Sequence, residues 1–416
     1  MRDDLRRRLR QLGVVKGTRG LANLPSRPAV AIEDVTSGRY YTTSHGRCFI
    51  VEESYAGEHR HGNLPLSSYL ALSPEEIVRA VQDDALSHID WKKACFIDTE
   101  TTGLSGGTGT MAFVVGIGFF EDEQFQVQQY FLRDPGDEPA MVEALAERLP
   151  EFDVLVSFNG RAFDVPILEN RFILARMPPP TGAMAHLDLL PLARSLWRYA
   201  LPSCSLGTIE QEVLGVRREQ ADVPGGEIPY LYRDYLRTGD ARDMKRVLYH
   251  NVIDVLSMVT LAARLCRRLV SPWDEIDLKG PEFYALARRA TKQGAREKAE
   301  QAYRSALEGD LDLELRLRTL RSLALLLKRE DRRDEAYAYW QQMALETDPS
   351  SRDFVRAHVE LAIYFEWHVE DLERAAEWTE SAIAAVETWR SGYRRREQLE
   401  ELRHRLDRLR RKMAAG

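Results

Sequence analysis

The order of elements between residues 94 and 269 constrains the fold of this chain more than any other feature. Residues 94–97, 112–120 and 125–132 have the composition of three successive strands. A helix (142–149), a buried strand (153–157), a helix (165–175) and a short strand (186–190) are predicted next, before a long helix (243–269). Hairpin strands followed by alternating helices and strands predict a mixed α/β domain around a central sheet.

The sequence before this domain is predicted to form a separate region, residues 1–92. Residues 1 to about 25 are rich in arginine and predict a solvated tail, with a nucleic-acid-binding arm as the less favoured alternative. Two short strands (39–43 and 47–52) and a helix (74–84) are expected after it.

Four potential zinc ligands also fall in this first region. Their spacing matches no common structural zinc pattern, so ordinary loop and hairpin roles are predicted for His45, Cys48, His59 and His61.

An internal repeat follows the central domain, over residues 278–416. Ala287, Ala324 and Ala362 are 37 and 38 residues apart, and a second alanine series at 299, 336 and 375 has nearly the same spacing. Small residues at fixed positions let paired helices approach closely and stack on their neighbours. The pattern predicts an all-α domain of repeats similar to the tetratricopeptide class, with an unspecific helical bundle as the alternative.

Composition limits the class of protein. The formal net charge of −7 excludes a global basic signature, so a nucleic-acid contact has to come from local basic patches. The four cysteines form no CxxC pair, and no apolar run reaches the roughly 18 residues that a membrane helix needs. These features predict a cytoplasmic protein without a membrane partner.

The most specific chemical signal is Asp98-Thr99-Glu100-Thr101-Thr102-Gly103, directly after the first strand. Residues two apart in a strand point the same way, so Asp98 and Glu100 are predicted to place two carboxylates on one face. Such a pair repels itself unless a cation binds, and hard oxygen ligands suit Mg²⁺ or Mn²⁺. Alone, this pattern also fits a solvated turn.

Two further acids follow at helices. Asp164 ends the stretch Ser157-Phe158-Asn159-Gly160-Arg161-Ala162-Phe163-Asp164 and opens a helix, where a carboxylate could also act only as a cap. Asp254 lies four residues after His250 in the long helix, so the two side chains share one face. A histidine beside a metal-binding carboxylate is a plausible general base, although an isolated pair is more often a surface feature.

In order and spacing, these three motifs resemble those of the DEDD exonuclease superfamily, and residues 94–269 resemble the YprB-like group of ribonuclease-H-like proteins. The resemblance implies a ribonuclease-H-like domain over residues 93–271 that hydrolyses nucleic acid from the 3′ end. It implies two Mg²⁺ or Mn²⁺ ions held by Asp98, Glu100, Asp164 and Asp254. Thr101, Asn159 and Phe163 are candidate substrate contacts, with core packing as the favoured alternative for Phe163.

One position departs from the superfamily pattern. A histidine base usually lies five residues before the last aspartate and a tyrosine four before, whereas here Tyr249 lies five before Asp254 and His250 four before. Adjacent helix positions point about 100° apart, so only one ring is expected to face the metal ions. We predict that His250 is the base, because imidazole ordinarily titrates near neutrality.

Other functions are compatible with the same motifs. A structure-selective endonuclease could use this fold, and the repeats could belong to a protein-binding scaffold whose nuclease domain is inactive. The glycine-rich stretch 105–110 lacks the lysine and the following helix of a phosphate-binding loop, and is predicted to be a turn near the site.

Overall fold

The computed structural model describes residues 28–103, 109–219 and 222–415. The predicted basic arm lies outside these ranges, as do residues 105–108 of the glycine-rich stretch. Within the described ranges, no helix combines the length and the apolar character required to span a bilayer.

A seven-stranded mixed sheet forms the centre of the fold. The strands, with a small separate pair β3–β4, are β1 (Gly38–Thr43), β2 (Gly46–Ala56), β3 (Arg60–His61), β4 (Leu64–Pro65), β5 (Ala94–Thr101), β6 (Ala112–Glu121), β7 (Gln124–Phe131), β8 (Val154–Ser157) and β9 (Ala185–Asp188). Their order is β1-β2-β7-β6-β5-β8-β9, with β5, β8 and β9 parallel and the other neighbours antiparallel. The predicted mixed sheet is therefore confirmed.

The first two strands correct the predicted separation of residues 1–92. Both were predicted as strands, but β2 pairs with β7 along the register from Phe49–Phe131 to Ala56–Gln124. Residues 38–56 thus extend the central sheet instead of forming a region of their own. Local strand patterns do not reveal the partner of a strand, because pairing is a long-range choice.

Helices cover both faces of the sheet. They are α1 (Ile32–Val35), α2 (Pro74–Val81), α3 (Glu138–Arg148), α4 (Asp164–Leu174), α5 (Leu189–Trp197), α6 (Leu206–Ile209), α7 (Ile228–Thr238) and α8 (Arg242–Val270). Ser73 caps α2, and Gln82 has a φ of 65°, which ends the helix at Val81 instead of the predicted residue 84. Alternate strand residues enter opposite cores: Phe96 packs with α5 and α8, and Ile97 with α3, α4 and α7.

The C-terminal part consists of consecutive helices. They are α9 (Gly280–Lys292), α10 (Arg296–Glu308), α11 (Leu313–Arg329), α12 (Arg333–Glu346), α13 (Arg352–Tyr364), α14 (Leu372–Glu387) and α15 (Tyr393–Ala415). The repeated alanines are all buried, with the first series on α9, α11 and α13 and the second on α10, α12 and α14. Each helix pair therefore uses the same small positions for close packing, as the spacing predicted.

The junction between the two parts corrects the predicted domain boundary. Trp197 of α5 donates its indole N–H to Glu282 of α9 at 2.8 Å, and Arg268 near the end of α8 also pairs with Glu282. One apolar core runs from Val154 and Val156 of the sheet through Trp197 to Leu286 and the following helices. The segment 272–278 therefore does not separate two independent cores.

Candidate active site

The four predicted acids come from three elements that meet at the end of β5. Asp98 and Glu100 lie on β5, Asp164 opens α4, and Asp254 lies in the middle of α8. Burial raises the pKa of Asp98 well above its ordinary value, and the charges of the other three carboxylates add to this effect. Burial, followed by the same mutual repulsion, also raises the pKa of Glu100. The fold thus concentrates negative charge where water is scarce.

Glu100 has a buried carboxylate oxygen whose partner the described residues do not supply. Only 7% of the residue is exposed, and its Oε1 atom accepts no hydrogen bond from the described residues. A buried carboxylate oxygen without a partner is costly, because it has lost its water and gained nothing in return. Protonation or a bound cation would remove that cost.

Asp98 is fixed by an amide network behind it. Asn251 Nδ2 of α8 donates to Asp98 Oδ2 at 2.8 Å, and Gln129 Nε2 of β7 donates to Asn251 Oδ1 at 2.8 Å. Gly116 of β6, directly opposite Asp98 in the register, leaves the space that the Asn251 side chain occupies. These contacts orient one oxygen of Asp98.

Gly116→Ala tests this arrangement, because the added Cβ would lie 2.1 Å from Asn251 Oδ1. We expect a stability loss of about 1–3 kcal/mol from overpacking, together with reduced hydrolysis. Urea unfolding and nuclease assays measure the two effects. Gly207→Ala is the control, since its Cβ would meet nothing within 4 Å. A Gly116→Ala protein with unchanged stability and rate would contradict the proposed close approach.

The carboxylate of Asp164 is held in place by Thr99, which lies between Asp98 and Glu100 on β5. Thr99 Oγ1 donates to Asp164 Oδ1 at 2.5 Å, and only 5% of Asp164 is exposed. Burial raises the pKa of Asp164 from 3.8 to about 6, despite the opposing hydrogen bond from Thr99. The carboxylate is therefore fixed in position but poorly stabilised in its charged form.

This shift sets the pH dependence of stability in metal-free buffer. Because the pKa is raised in the folded protein, the contribution of Asp164 to the free energy of unfolding is fully present below its ordinary pKa of 3.8. This contribution is lost as the pH rises through about 6. Asp164→Asn stays neutral, so we expect it to exceed the wild type by up to about 3 kcal/mol near pH 8 and to match it near pH 4. Urea unfolding in EDTA measures the difference; a pH-independent difference would refute the cause. Asp153→Asn, at an exposed carboxylate, should show no such trend.

Arg218 supplies positive charge beside the acids. Its guanidinium forms a two-point ion pair with the buried Glu210 at 2.7 Å for both contacts, and it also contacts Asp254 Oδ1. Burial alone would lower the pKa of Arg218, but the ion pairs with Glu210 and Asp254 outweigh it and raise the pKa. Ser257 also donates to Glu210 at 2.7 Å. Asp254 therefore shares one fixed cation with Glu210 and Asp222.

The donor set fits a hard cation in its chemistry, although it is not a closed site. Across the described ranges, no three His, Cys, Asp or Glu side chains are placed so that they could hold a metal ion. One Glu100 oxygen nevertheless has no partner among the described residues, and the pKa values of Asp98 and Glu100 are raised. A bound cation would therefore stabilise the charged form of these carboxylates. The residues present are the oxygen donors that Mg²⁺ and Mn²⁺ prefer.

His250 faces the acids, whereas Tyr249 does not. His250 Nε2 lies 3.8 Å from Asp254 Oδ2, and its Nδ1 lies 2.8 Å from Asp222 Oδ1. The Tyr249 hydroxyl instead accepts a hydrogen bond from the backbone N–H of Glu219 at 3.3 Å. The two adjacent rings therefore point in different directions, in the sense that the helix geometry predicts.

The three predicted substrate contacts differ in accessibility. The Thr101 residue is buried, and its hydroxyl donates to the carbonyl of Gly103 at 2.7 Å, so this group serves the turn. Phe163 is half-buried and packs against the sheet core, which was its favoured alternative. Asn159 is exposed at a φ of 67°. Of the three, Asn159 is the best placed to touch a substrate.

Sequence reasoning did not identify several residues that support the site. Asp188 accepts hydrogen bonds from the backbone N–H groups of Asn159 at 2.8 Å and Arg161 at 3.2 Å, which fixes the turn before Asp164. Arg218 and Asp222 lie 36 and 32 residues before Asp254, in a segment without a recognisable pattern. Asn251 lies next to His250 and Glu210 directly follows α6, but nothing local in the sequence indicates their partners.

Comparison with known proteins places the site in a family. A sequence profile described as the RNase H superfamily matches residues 95–266, a range that includes all four carboxylates. The uncharacterized protein YprB of Bacillus subtilis is 32% identical over 346 residues, which cover 81% of this chain and 80% of that protein. The expected ribonuclease-H-like domain is confirmed, and such a domain indicates hydrolysis of nucleic acid.

Proposed function

Because this chain belongs to the family of Bacillus subtilis YprB and carries an RNase H superfamily domain, we propose that it is a metal-dependent nuclease that acts from the 3′ end of nucleic acids. The observation that carries the proposal is the buried carboxylate cluster, in which one Glu100 oxygen has no partner among the described residues. The order of the motifs supports the 3′ end as the point of attack.

Asp98, Glu100, Asp164 and Asp254 would hold two Mg²⁺ or Mn²⁺ ions. When bound, such ions lower the pKa of a coordinated water and neutralise charge on the leaving oxygen. Hydrogen bonds within the chain already orient two of these carboxylates. Asn251 fixes one oxygen of Asp98, and Thr99 fixes one oxygen of Asp164. Asp98 and Asp164 are therefore oriented before a metal ion binds, whereas Glu100 and Asp254 would have to rotate to complete the site.

His250 is proposed as the general base. His250 Nδ1 lies 2.8 Å from Asp222 Oδ1 and 3.0 Å from Arg218 Nη1, which can only donate. We assign the imidazole proton to Nδ1, where it donates to Asp222 while Arg218 Nη1 directs its hydrogens to the other Asp222 oxygen, and Nε2 is left as an acceptor toward the acids. In this tautomer Nε2 can take a proton from water at the site, and Asp222 stabilises the imidazolium that forms. Asp222 thus acts as a positioning residue for His250.

The proposal is tested by degradation of end-labelled DNA and RNA, single- and double-stranded, with Mn²⁺ or Mg²⁺ and with EDTA. We expect mononucleotide release from an open 3′ end that depends on the divalent ion. A blocked 3′ end should stop the reaction. Internal cleavage of the blocked substrate would instead support the endonuclease alternative, and no cleavage of any substrate would support the scaffold. A protein partner for the repeat helices stays a prediction.

A further inference from the structure

A group of five cations lines one groove between α5 and α9. We call it the junction cluster. It consists of Arg194, Arg198, Arg288, Arg289 and Lys292. The other residues that line this groove are neutral, among them Gln82 and Tyr199. Arg194, Arg198 and Lys292 are exposed to solvent, and Arg288 and Arg289 are half-buried. The groove therefore presents a concave surface of a single charge sign.

The cations of the junction cluster have no acidic partner within the part of the chain that the structure describes. In the described ranges, none of the five forms an ion pair with a carboxylate. The chain as a whole is acidic, with 65 acidic and 58 basic side chains. Arg304, Arg316 and Arg332 of the following helices all pair with glutamates. Five positive charges without an acidic partner in one groove favour the binding of an external anion.

Neutral groups hold three of the arginines in place. Arg198 and Arg288 both donate to the hydroxyl of Tyr199, whose ring packs edge-on against Tyr284 at 5.1 Å. Arg289 Nη2 donates to the carbonyl of Arg79 at 3.2 Å. Burial lowers the pKa of Arg289, with no acid to oppose the effect. The guanidinium groups are thus ordered in advance, but their charge stays available.

The junction cluster lies away from the candidate active site on the same rigid element. Asp188 caps α5 and holds the turn before Asp164, whereas Arg198 ends the same helix. Ten residues of helix separate the two by about 15 Å, at 1.5 Å per residue. A duplex strand advances about 3.4 Å per nucleotide, so this distance corresponds to about four or five nucleotides of a duplex.

We propose that the junction cluster binds the phosphate backbone of the nucleic-acid substrate several nucleotides away from the end that reacts. The proposal rests on the proposed function for the identity of the polyanion. Guanidinium groups match phosphate oxygens in geometry, and contacts to phosphates carry no sequence preference. The cluster would make affinity depend on substrate length, because a very short oligonucleotide cannot reach both places.

The test uses the full chain with Arg194→Gln, Arg198→Gln and Lys292→Gln combined. Binding of fluorescein-labelled oligonucleotides of about 3 and about 20 nucleotides is measured by anisotropy in EDTA over a range of salt concentrations. We expect the long probe to bind at least tenfold more weakly at low salt. The slope of log K against log salt should fall by about two to three, roughly one per lost phosphate contact. Binding of the short probe should not change.

Two matched variants locate the effect. Arg390→Gln, Arg394→Gln and Arg396→Gln combined remove the same charge from exposed positions around the start of α15 and should leave the long probe bound normally. Arg194→Lys combined with Arg198→Lys should keep the salt slope of the wild type, because both charges are preserved. An unchanged slope in the first variant, or an equal loss in the α15 variant, would overturn the proposal.

The proposed nuclease function is judged separately, by Mn²⁺-dependent hydrolysis of the short oligonucleotide. A wild-type protein that binds the long probe through the junction cluster but hydrolyses nothing would refute the nuclease function and leave the binding surface standing. A wild-type protein that hydrolyses short substrates but has no length-dependent affinity would refute the binding surface alone.

Discussion

Asp98→Asn and Asp254→Asn should each lose nearly all divalent-ion-dependent hydrolysis while the chain stays folded. Charge stabilisation by a bound ion contributes several kcal/mol, and about 4 kcal/mol corresponds to a rate loss of about 10³-fold or more. The fold should persist, because the amide oxygen of the Asp98→Asn variant can still accept the hydrogen bond from Asn251. In the second variant, Arg218 keeps its two contacts to Glu210.

The two variants should also be at least as stable as the wild type in EDTA near neutral pH. Burial raises the pKa of both Asp98 and Asp254, so their stabilising contribution is present at low pH and is lost as the pH rises through the raised values. Replacement of either aspartate by neutral asparagine therefore avoids this loss of stability at neutral pH. Asp153→Asn serves as the control for both assays, since its carboxylate is exposed beside β8. Wild-type hydrolysis by a highly purified Asp98→Asn protein would remove this carboxylate from the mechanism.

His250→Ala should lower the rate by about 10² to 10⁴-fold, the range that a positioned general base contributes. His250 lies 3.8 Å from Asp254 and contacts Asp222, whereas the Tyr249 hydroxyl contacts the backbone of Glu219. Tyr249→Phe is therefore the matched control and should keep most of the activity. Single-turnover rates with saturating Mn²⁺ separate this loss from a loss of metal binding.

Asp222→Asn extends the same test to the positioning residue. An amide in place of the carboxylate can still contact Nδ1 but cannot stabilise an imidazolium, so we expect a smaller loss, about 10 to 100-fold. The pH profile of the remaining activity should change shape, which a purely structural defect would not cause. If Tyr249→Phe is crippled and His250→Ala is nearly normal, the tyrosine serves the site and the assignment is reversed.

The sequence predicted the elements that carry the acids well. Asp98 and Glu100 were predicted at the end of an apolar strand, which in the structure continues through both of them to Thr101, and Asp164 and Asp254 belong to helices as the local periodicity predicted. It could not predict Arg218, whose contacts with Glu210 and Asp254 span 8 and 36 residues of chain. An ion pair at that separation leaves no periodic signal in the sequence.

The two predicted domain boundaries, after residue 92 and between residues 271 and 278, were wrong for a related physical reason. The hairpin β1–β2 has the strand pattern of an independent unit, yet β2 pairs with β7 and completes the sheet. Pro272 and the charged residues after it look like a linker, yet Trp197 and Arg268 meet Glu282 across it. Composition indicates where the backbone turns, whereas a domain boundary depends on which apolar surfaces pack together in the folded chain.

The shared core at α9 bears on how such a chain can evolve. Trp197 and Tyr284 are almost entirely buried, and both belong to the apolar core that joins the sheet to the repeat helices. A gene shortened after residue 270 would encode a nuclease with one flank open to water, prone to aggregate before it could be selected. Because they share this core, the sheet and the first repeat helices are expected to be kept or lost together in evolution.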